Sequence, residues 1–260
     1  MLHTSMIINN KKIFIANWKM QFSYAQEIAW VANNKNSFTE VVTPTADLVI
    51  CPDFTALKTI HDMLQGTQVA LGAQNCAAPE TGSFTGEVSA QSLQEVGCSY
   101  CIIGHSEHRR VTGETFHDVG LKIVTLLKLG ITPIVCVGES AQEHTEGATH
   151  DVLHVQLEPI VDGLLEYAKR ATILVAYEPV WAIGTGKTPK NSDIIKALET
   201  IKNYLHEQTP DYSIKLLYGG SVNEQTLPEL KKIGELDGFL IGSASLDFQN
   251  LKKIVRFCIE

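Results

Sequence analysis

The chain has 260 residues, an apolar fraction of 44%, a mean hydropathy near zero and a formal charge of −8. This balance describes a soluble globular protein with material for a large core, and it argues against a general binder of nucleic acid or of anionic membranes. An anionic ligand must therefore be met by a local positive site.

In chain order, short apolar and β-branched runs recur at Ile13–Ala16, Leu48–Cys51, Val69–Gly72, Tyr100–Ile103, Thr132–Val137, Thr172–Tyr177, Ile214–Tyr218 and Phe239–Ile241. Their apolarity is continuous rather than alternating, as in strands covered on both faces. Helical patterns lie between them. One stripe is Ile194, Leu198, Ile201 and Leu205; another is Val152, Val155, Ile160, Val161, Leu164 and Leu165. Eight such units in this length predict an α/β fold, a (β/α)8 barrel of parallel strands joined by right-handed crossovers. A doubly wound open sheet is the alternative. No Pro/Gly/Ser-rich linker, charge block or low-complexity stretch divides the chain, so residues 1–260 are expected to form a single domain.

Met1 to Asn10 has no sustained apolar segment of the signal-peptide kind, and no apolar run reaches the roughly 20 residues that span a bilayer. The six cysteines (51, 76, 98, 101, 136 and 258) show no disulfide-framework spacing. A cytoplasmic, reducing location is the expectation. Cys98-Ser99-Tyr100-Cys101 is formally a C-x-x-C, but it leads into a strand and lacks a second pair, so it reads as structural.

In a barrel of this kind chemistry sits at the C-terminal ends of the strands. Strand 1 is followed by Asn17-Trp18-Lys19, strand 4 by Gly104-His105-Ser106-Glu107 and strand 5 by Gly138-Glu139. Strand 6 ends on Glu178, strand 7 on Gly219-Gly220-Ser221 and strand 8 on Gly242-Ser243-Ala244-Ser245. Glu178 precedes a proline, which restricts its backbone to extended conformations. The loop beyond it has a small-residue tip at Gly184 and Gly186, the layout of a general base with a lid attached. Paired glycine turns on strands 7 and 8, with Gly184, present backbone amides suited to phosphate, and Gly242-Ser243 is expected to open a helix. Gly184-Thr185-Gly186-Lys187-Thr188 is not a nucleotide P-loop, because the first glycine of that motif would fall at Trp181.

Lys19 is the best-placed cation for such a site, though solvation is the common fate of a lysine. His105 is read as a metal ligand, a buried hydrogen-bonded group or an acid catalyst; a helix start beside it would disfavour the imidazolium. His150-Asp151-Val152-Leu153-His154 is one residue away from a zinc-binding H-E-x-x-H, without an evident third ligand, and reads as a solvated helix face.

Together Ala16-Asn17-Trp18-Lys19-Met20, Ile103-Gly104-His105-Ser106-Glu107, Val135-Cys136-Val137-Gly138-Glu139, the run from Tyr177 to Thr188, Tyr218-Gly219-Gly220-Ser221-Val222 and Gly242-Ser243-Ala244-Ser245-Leu246 resemble the triosephosphate isomerase family over essentially the whole chain. The resemblance implies a TIM barrel that interconverts dihydroxyacetone phosphate and D-glyceraldehyde 3-phosphate through an enediol(ate), in glycolysis and gluconeogenesis. It casts Glu178 as the base, His105 as a neutral electrophile, and Lys19 as the stabiliser of developing charge and of the phosphate, with Asn17 ordering the site. Substrate would be held by Asn17, Lys19 and the amides of Gly184, Ser221, Gly242 and Ser243. Cys136 and Glu107 would be supporting residues, and Ile183 and Leu240 would cover Glu178. No metal or organic cofactor is implied, nor a nucleic-acid or membrane partner. The long segment 74–87 would insert into a second copy of the chain, with Thr85 reaching the other active site, which makes a homodimer the expectation.

The departures from the family are few. His108 stands where arginine is usual, while Arg109 and Glu114 are expected to keep a structural ion pair. Ser243 replaces a glycine and would be strained if its backbone needed positive φ, by about 1–3 kcal/mol. Two other readings stand beside the isomerase: a non-catalytic phosphate-binding barrel, and a different phosphosugar isomerase or metal-dependent hydrolase on the same barrel.

Overall fold

A computed structural model describes residues 11–183 and 189–260. Eight parallel strands close into a barrel in sequence order, β1 pairing with β8. They are β1 (Lys12–Asn17), β2 (Ala46–Cys51), β3 (Ala70–Ala73), β4 (Tyr100–Ile103), β5 (Thr132–Val137), β6 (Thr172–Tyr177), β7 (Ser213–Tyr218) and β8 (Gly238–Ile241). Around them run α1 (Tyr24–Asn34), α2 (Leu57–Leu64), α3 (Ala90–Glu95), α4 (Ser106–Thr112), α5 (Phe116–Lys128), α6 (Ala141–Thr145), α7 (Thr149–Tyr167), α8 (Asn191–Gln208), α9 (Leu227–Leu230) and α10 (Phe248–Ile259).

Why the strands lack alternation is visible in the packing. Ile13, Ile15, Val49, Cys51, Ile102, Ile134, Cys136, Leu174, Ala176, Leu217 and Leu240 fill the barrel. The residues between them, such as Phe14, Ala16, Leu48, Ile50, Val135 and Val175, belong to a second cluster shared with the helices. Both faces of each strand are thus removed from water, which forces apolar residues at successive positions. The Ile194, Leu198, Ile201 and Leu205 stripe of α8 is buried as expected.

The stripe expected on α7 is shifted. Ile160, Val161 and Leu164 of that stripe are buried, but Val155 and Leu165 are 68% and 56% exposed, and Leu153, Gln156, Leu157 and Gly163 complete the inner face. Close packing on α5 sets that rotation: a β-carbon added at Gly163 would lie 2.5 Å from the Gly120 carbonyl oxygen, and one at Gly120 would lie 2.5 Å from the Pro159 carbonyl oxygen. The two backbones meet through small residues, so the face carrying them turns inward.

A second correction concerns Arg109, which does not pair with Glu114. Its guanidinium donates to the carbonyls of Gly104 and Cys136 and lies over the Phe116 ring. Glu114 instead pairs with Lys122, whose Nζ also donates to Asn75 Oδ1 at 2.9 Å. His108 completes this group: its Nδ1 is 3.4 Å from Glu114 Oε2, and its Nε2 accepts from Asn75 Nδ2 at 2.9 Å. On α4, position 108 faces the Asn75 side, while position 109 faces the strand ends.

Candidate active site

Every side chain expected at the site that falls within the described residues lies at the C-terminal end of the barrel. Asn17, Lys19, His105, Glu178, Ser221, Gly242 and Ser243 line one cleft of about 1010 Å³, together with Ile183 and Leu240. Gly184 and the rest of the expected lid tip lie outside the described residues.

Glu178 follows β6 directly and is 1% exposed. The Ser106 amide donates to its Oε2 at 3.0 Å, and His105 Nε2 lies 3.0 Å from its Oε1. The latter contact is close but off the axis of a ring N–H bond, which leaves Oε1 without an aligned donor. Burial, the largest influence, pushes this carboxyl up. The facing His105 ring, the Ser106 amide and the Arg109 guanidinium together outweigh it and hold the carboxyl below its ordinary value. In the present arrangement the His105 ring and the N-terminus of α4 thus oppose the effect of burial. The amide and Arg109 act with either protonation state of the imidazole.

His105 is the N-cap of α4, and its Nδ1 accepts the backbone N–H of Glu107 at 3.2 Å. A backbone N–H can only donate, so Nδ1 carries the lone pair and the ring proton sits on Nε2, facing Glu178. This is the neutral tautomer, and it points a donor into the cleft.

Lys19 occupies left-handed backbone at φ 53°, a conformation that costs a non-glycine residue on the order of 1 kcal/mol. It is held there from three sides. Its amide donates to Asn17 Oδ1 at 3.1 Å, its carbonyl accepts from Gln74 Nε2 at 2.8 Å, and its Nζ pairs with Glu107 Oε1 at 2.7 Å. A β-carbon added at Gly242 would lie 3.8 Å from that Nζ, so the β8 turn and the cation share one wall. The turn is a single 3-10 helix, Ser243–Ser245, rather than the start of an α-helix; α10 begins five residues later. Among the described residues the non-glycine positions at positive φ are Lys19 and Ala168, so Ser243 carries no such strain. Ser221 Oγ donates to Ala182 O at 3.4 Å, joining the β7 turn to the segment after Glu178.

That segment is anchored by Glu139, fully buried at the end of β5. Tyr177 OH donates to both its oxygens at 3.2 Å, and Trp181 Nε1 donates to Oε1 at 2.7 Å. The Trp181 ring in turn stacks on His144 at 4.0 Å. Burial and then the adjacent Glu139 charge push the Tyr177 hydroxyl well above its ordinary range, so it stays a donor.

Two catalytic-looking side chains, a cation and paired turn amides converge on one cleft of an all-parallel barrel. A family model described as triosephosphate isomerase matches residues 12–258. The chain belongs to the triosephosphate isomerase family. It is 41% identical over 249 residues to the triosephosphate isomerase of Aquifex aeolicus, covering 94% of this chain and 98% of that protein. It is 38% identical over 244 residues to that of a Wolbachia of Brugia malayi, covering 94% and 96%, and 36% identical over 251 residues to that of Endomicrobium trichonymphae, covering 95% and 98%.

Within the framework of this family, three groups at the site were not read from the sequence. Ser106 acts through a backbone amide, Gln156 reaches Gly138 from α7, and Glu139 gathers Tyr177 and Trp181. Only Glu139 gave a signal, as a polar residue at a strand end. Among the described residues, the exposed His150 and the half-buried His154 form a ring pair, centroids 4.3 Å apart, without a third metal-ligating group. All six cysteines are free, and Cys98 and Cys101 are buried, in keeping with the structural reading of that pair.

Proposed function

We propose that this isomerase converts dihydroxyacetone phosphate and D-glyceraldehyde 3-phosphate into one another with Glu178 as base, His105 as electrophile and Lys19 as the stabilising cation. The observation that carries the assignment is the Glu178 carboxylate meeting His105 Nε2 with one oxygen and the Ser106 amide with the other, each at 3.0 Å. To reach a substrate carbon, Glu178 leaves the Ser106 amide. It then loses one of the interactions that hold its carboxyl down, while Ile183 and Leu240 supply apolar surface that raises its basicity. The carboxylate takes the proton from carbon, the electron pair forms the enediolate double bond, and the carbonyl oxygen gains the charge. His105 Nε2–H and Lys19 Nζ stabilise that oxygen. The hydroxyl proton passes from the neighbouring oxygen to the charged one, and return of the carbon-bound proton to the neighbouring carbon then gives the isomer without net oxidation.

Phosphate binding is assigned to Lys19 and the amides of Ser221, Gly242 and Ser243, with Gly184 as the contribution expected from the lid. Asn17 orders the site by holding the strained Lys19 backbone. Exclusion of water by the cleft protects the enediolate phosphate from elimination.

A homodimer through residues 74–87 is part of the same reading. In support, Pro79 to Glu87 are exposed, and Met20, Phe54, Phe84 and Val111 stand 90%, 38%, 50% and 76% exposed. These four follow β1, β2, β3 and β4, neighbouring strands, so they gather on one side of the barrel end. Such a patch is what a partner copy would cover. Six free thiols suit a cytoplasmic location. No helix among the described residues is long and apolar enough to cross a membrane.

A coupled assay with each triose phosphate, run with and without chelator, tests the proposal. Glu178→Gln is expected to lose about 10²–10⁴-fold in turnover while still binding inorganic phosphate. Near-normal turnover would sink the assignment, and chelator sensitivity would favour the metal-dependent alternative.

A further inference from the structure

We propose that Gln156 is a positioning residue for the base, acting through the Gly138 peptide on which the main chain of Glu178 rests. Val137 and Glu139 turn their carbonyls toward the β6 side, so Gly138 faces the β4 side, where the β4–β5 ladder has already stopped at Ile103 opposite Val135. Gly138 is nevertheless buried, and a buried backbone group must find a partner. Gln156 supplies both: its Oε1 accepts the Gly138 N–H at 2.8 Å, and its Nε2 donates to the Gly138 carbonyl at 3.0 Å. A side-chain amide thus stands in for the missing strand.

What Gly138 touches gives this clamp its consequence. A β-carbon added there would sit 1.8 Å from the Glu178 carbonyl oxygen, so the two main chains are in direct contact. On either side, Val137 O accepts the Glu178 amide at 2.7 Å, and Glu139 O accepts the Val180 amide at 3.1 Å. The base is therefore carried on a three-residue rail whose middle peptide is held by Gln156. That side chain is 7% exposed and projects from α7, the helix locked against α5 through Gly120, Pro159 and Gly163. The position of a packed helix is passed through one carboxamide to the catalytic carboxylate. Mechanistically this matters because a general base displaced by a fraction of an ångström loses reactivity while its binding contacts persist.

The inference rests on Glu178 being the base, and the experiment separates the two. Gln156→Met removes both hydrogen bonds at nearly constant volume. It is expected to lower kcat about 10- to 100-fold with KM within about twofold, because the rail carries the base and not the phosphate amides. In a Glu178→Asp background, where the carboxylate is already misplaced, the same substitution is expected to cost no more than a few-fold, the non-additivity of residues acting as a unit. A folded Gln156→Met with kcat within twofold of the parent, or with effects that add fully to those of Glu178→Asp, overturns the inference.

Should Gln156→Met fail to fold, Gln156→Glu decides. Its protonated carboxyl reproduces both bonds, whereas its carboxylate keeps the Gly138 N–H but opposes an acceptor to the Gly138 carbonyl. The ratio of variant to parent kcat, read well below the unfolding temperature, must then fall as pH rises; a flat ratio overturns the proposal. If Glu178→Gln turned over normally, the base assignment itself would fail. A Gln156 series without effect beside an inactive Glu178→Gln removes only the positioning role.

Discussion

Glu27 offers a prediction whose sign and size both follow from its surroundings. It lies in the first turn of α1, fully buried, with Oε1 accepting the Asp53 amide at 2.8 Å and Oε2 without a partner. Burial is the largest influence and pushes the carboxyl up; the Asp53 amide pulls it down and the Asp53 charge pushes it up again, leaving it at about 7 against an ordinary 4.5. Because the folded state binds this proton more tightly than the unfolded chain, the associated stability is fully present below pH 4.5. It is lost as pH rises through about 7. The gap between about 7 and the ordinary 4.5 corresponds to ~3 kcal/mol.

Glu27→Gln keeps the acceptor for the Asp53 amide and cannot ionise, so it mimics the protonated carboxyl at every pH. At pH 5 the variant and parent should have similar stability. At pH 8.5 the variant should be more stable by ~3 kcal/mol, about 6–10 °C in Tm for a domain of this size. Chemical denaturation and calorimetry at fixed protein concentration, stepped from pH 5 to 8.5, measure the difference and keep any association constant. A difference that does not grow with pH refutes the reasoning, as does a variant less stable than the parent at pH 8.5.

Two further substitutions probe the site and the assembly. Gly138→Ala brings a methyl to within 1.8 Å of the Glu178 carbonyl oxygen unless the rail moves, so kcat should fall about 10²-fold; steady-state kinetics with an unchanged kcat would show that the rail does not set the base. Phe84→Asp places a charge on the exposed loop expected to enter a partner, and sedimentation velocity at micromolar concentration should show a dimer for the parent and a monomer for the variant; a monomeric parent would refute the proposed assembly. An unchanged sedimentation coefficient would move the interface elsewhere.

The strands were legible because burial on both faces leaves an unbroken apolar signature, and three of them, β4, β5 and β6, match to the residue. The ends that slipped begin with residues the apolar criterion skips: Lys12 in β1, Ala46 and Asp47 in β2, Ser213 in β7 and Gly238 in β8. Chemistry was legible for a related reason. In a parallel barrel the residue after each strand has one destination, so Asn17, His105, Glu178 and the β7 and β8 turns could be assembled without coordinates. The failures share a cause too. The partner of Arg109 and the inner face of α7 each depend on which way a helix is rotated, and for α7 that is fixed by contacts such as Gly120 against Gly163.

The base itself shows where this boundary falls. Glu178 is proposed as the base from its place before Pro179 at a strand end, but its resting partner is the amide of Ser106, a group every residue but proline possesses. A backbone donor leaves no mark in sequence, and neither does the Gln156 carboxamide, 18 positions from the peptide it holds. Yet the amide, after burial and the His105 ring, bears on how basic the carboxylate is, and the carboxamide is proposed to aim it. In this fold, reactive groups come from strand ends and can be read in chain order, while the groups that restrain them arrive sideways, from helix starts and helix faces. As the proposed base, Glu178 would be strengthened by the apolar cover of Ile183 and Leu240, but it must first give up the Ser106 amide, so substrate binding has to displace a hydrogen bond before it can use the carboxylate.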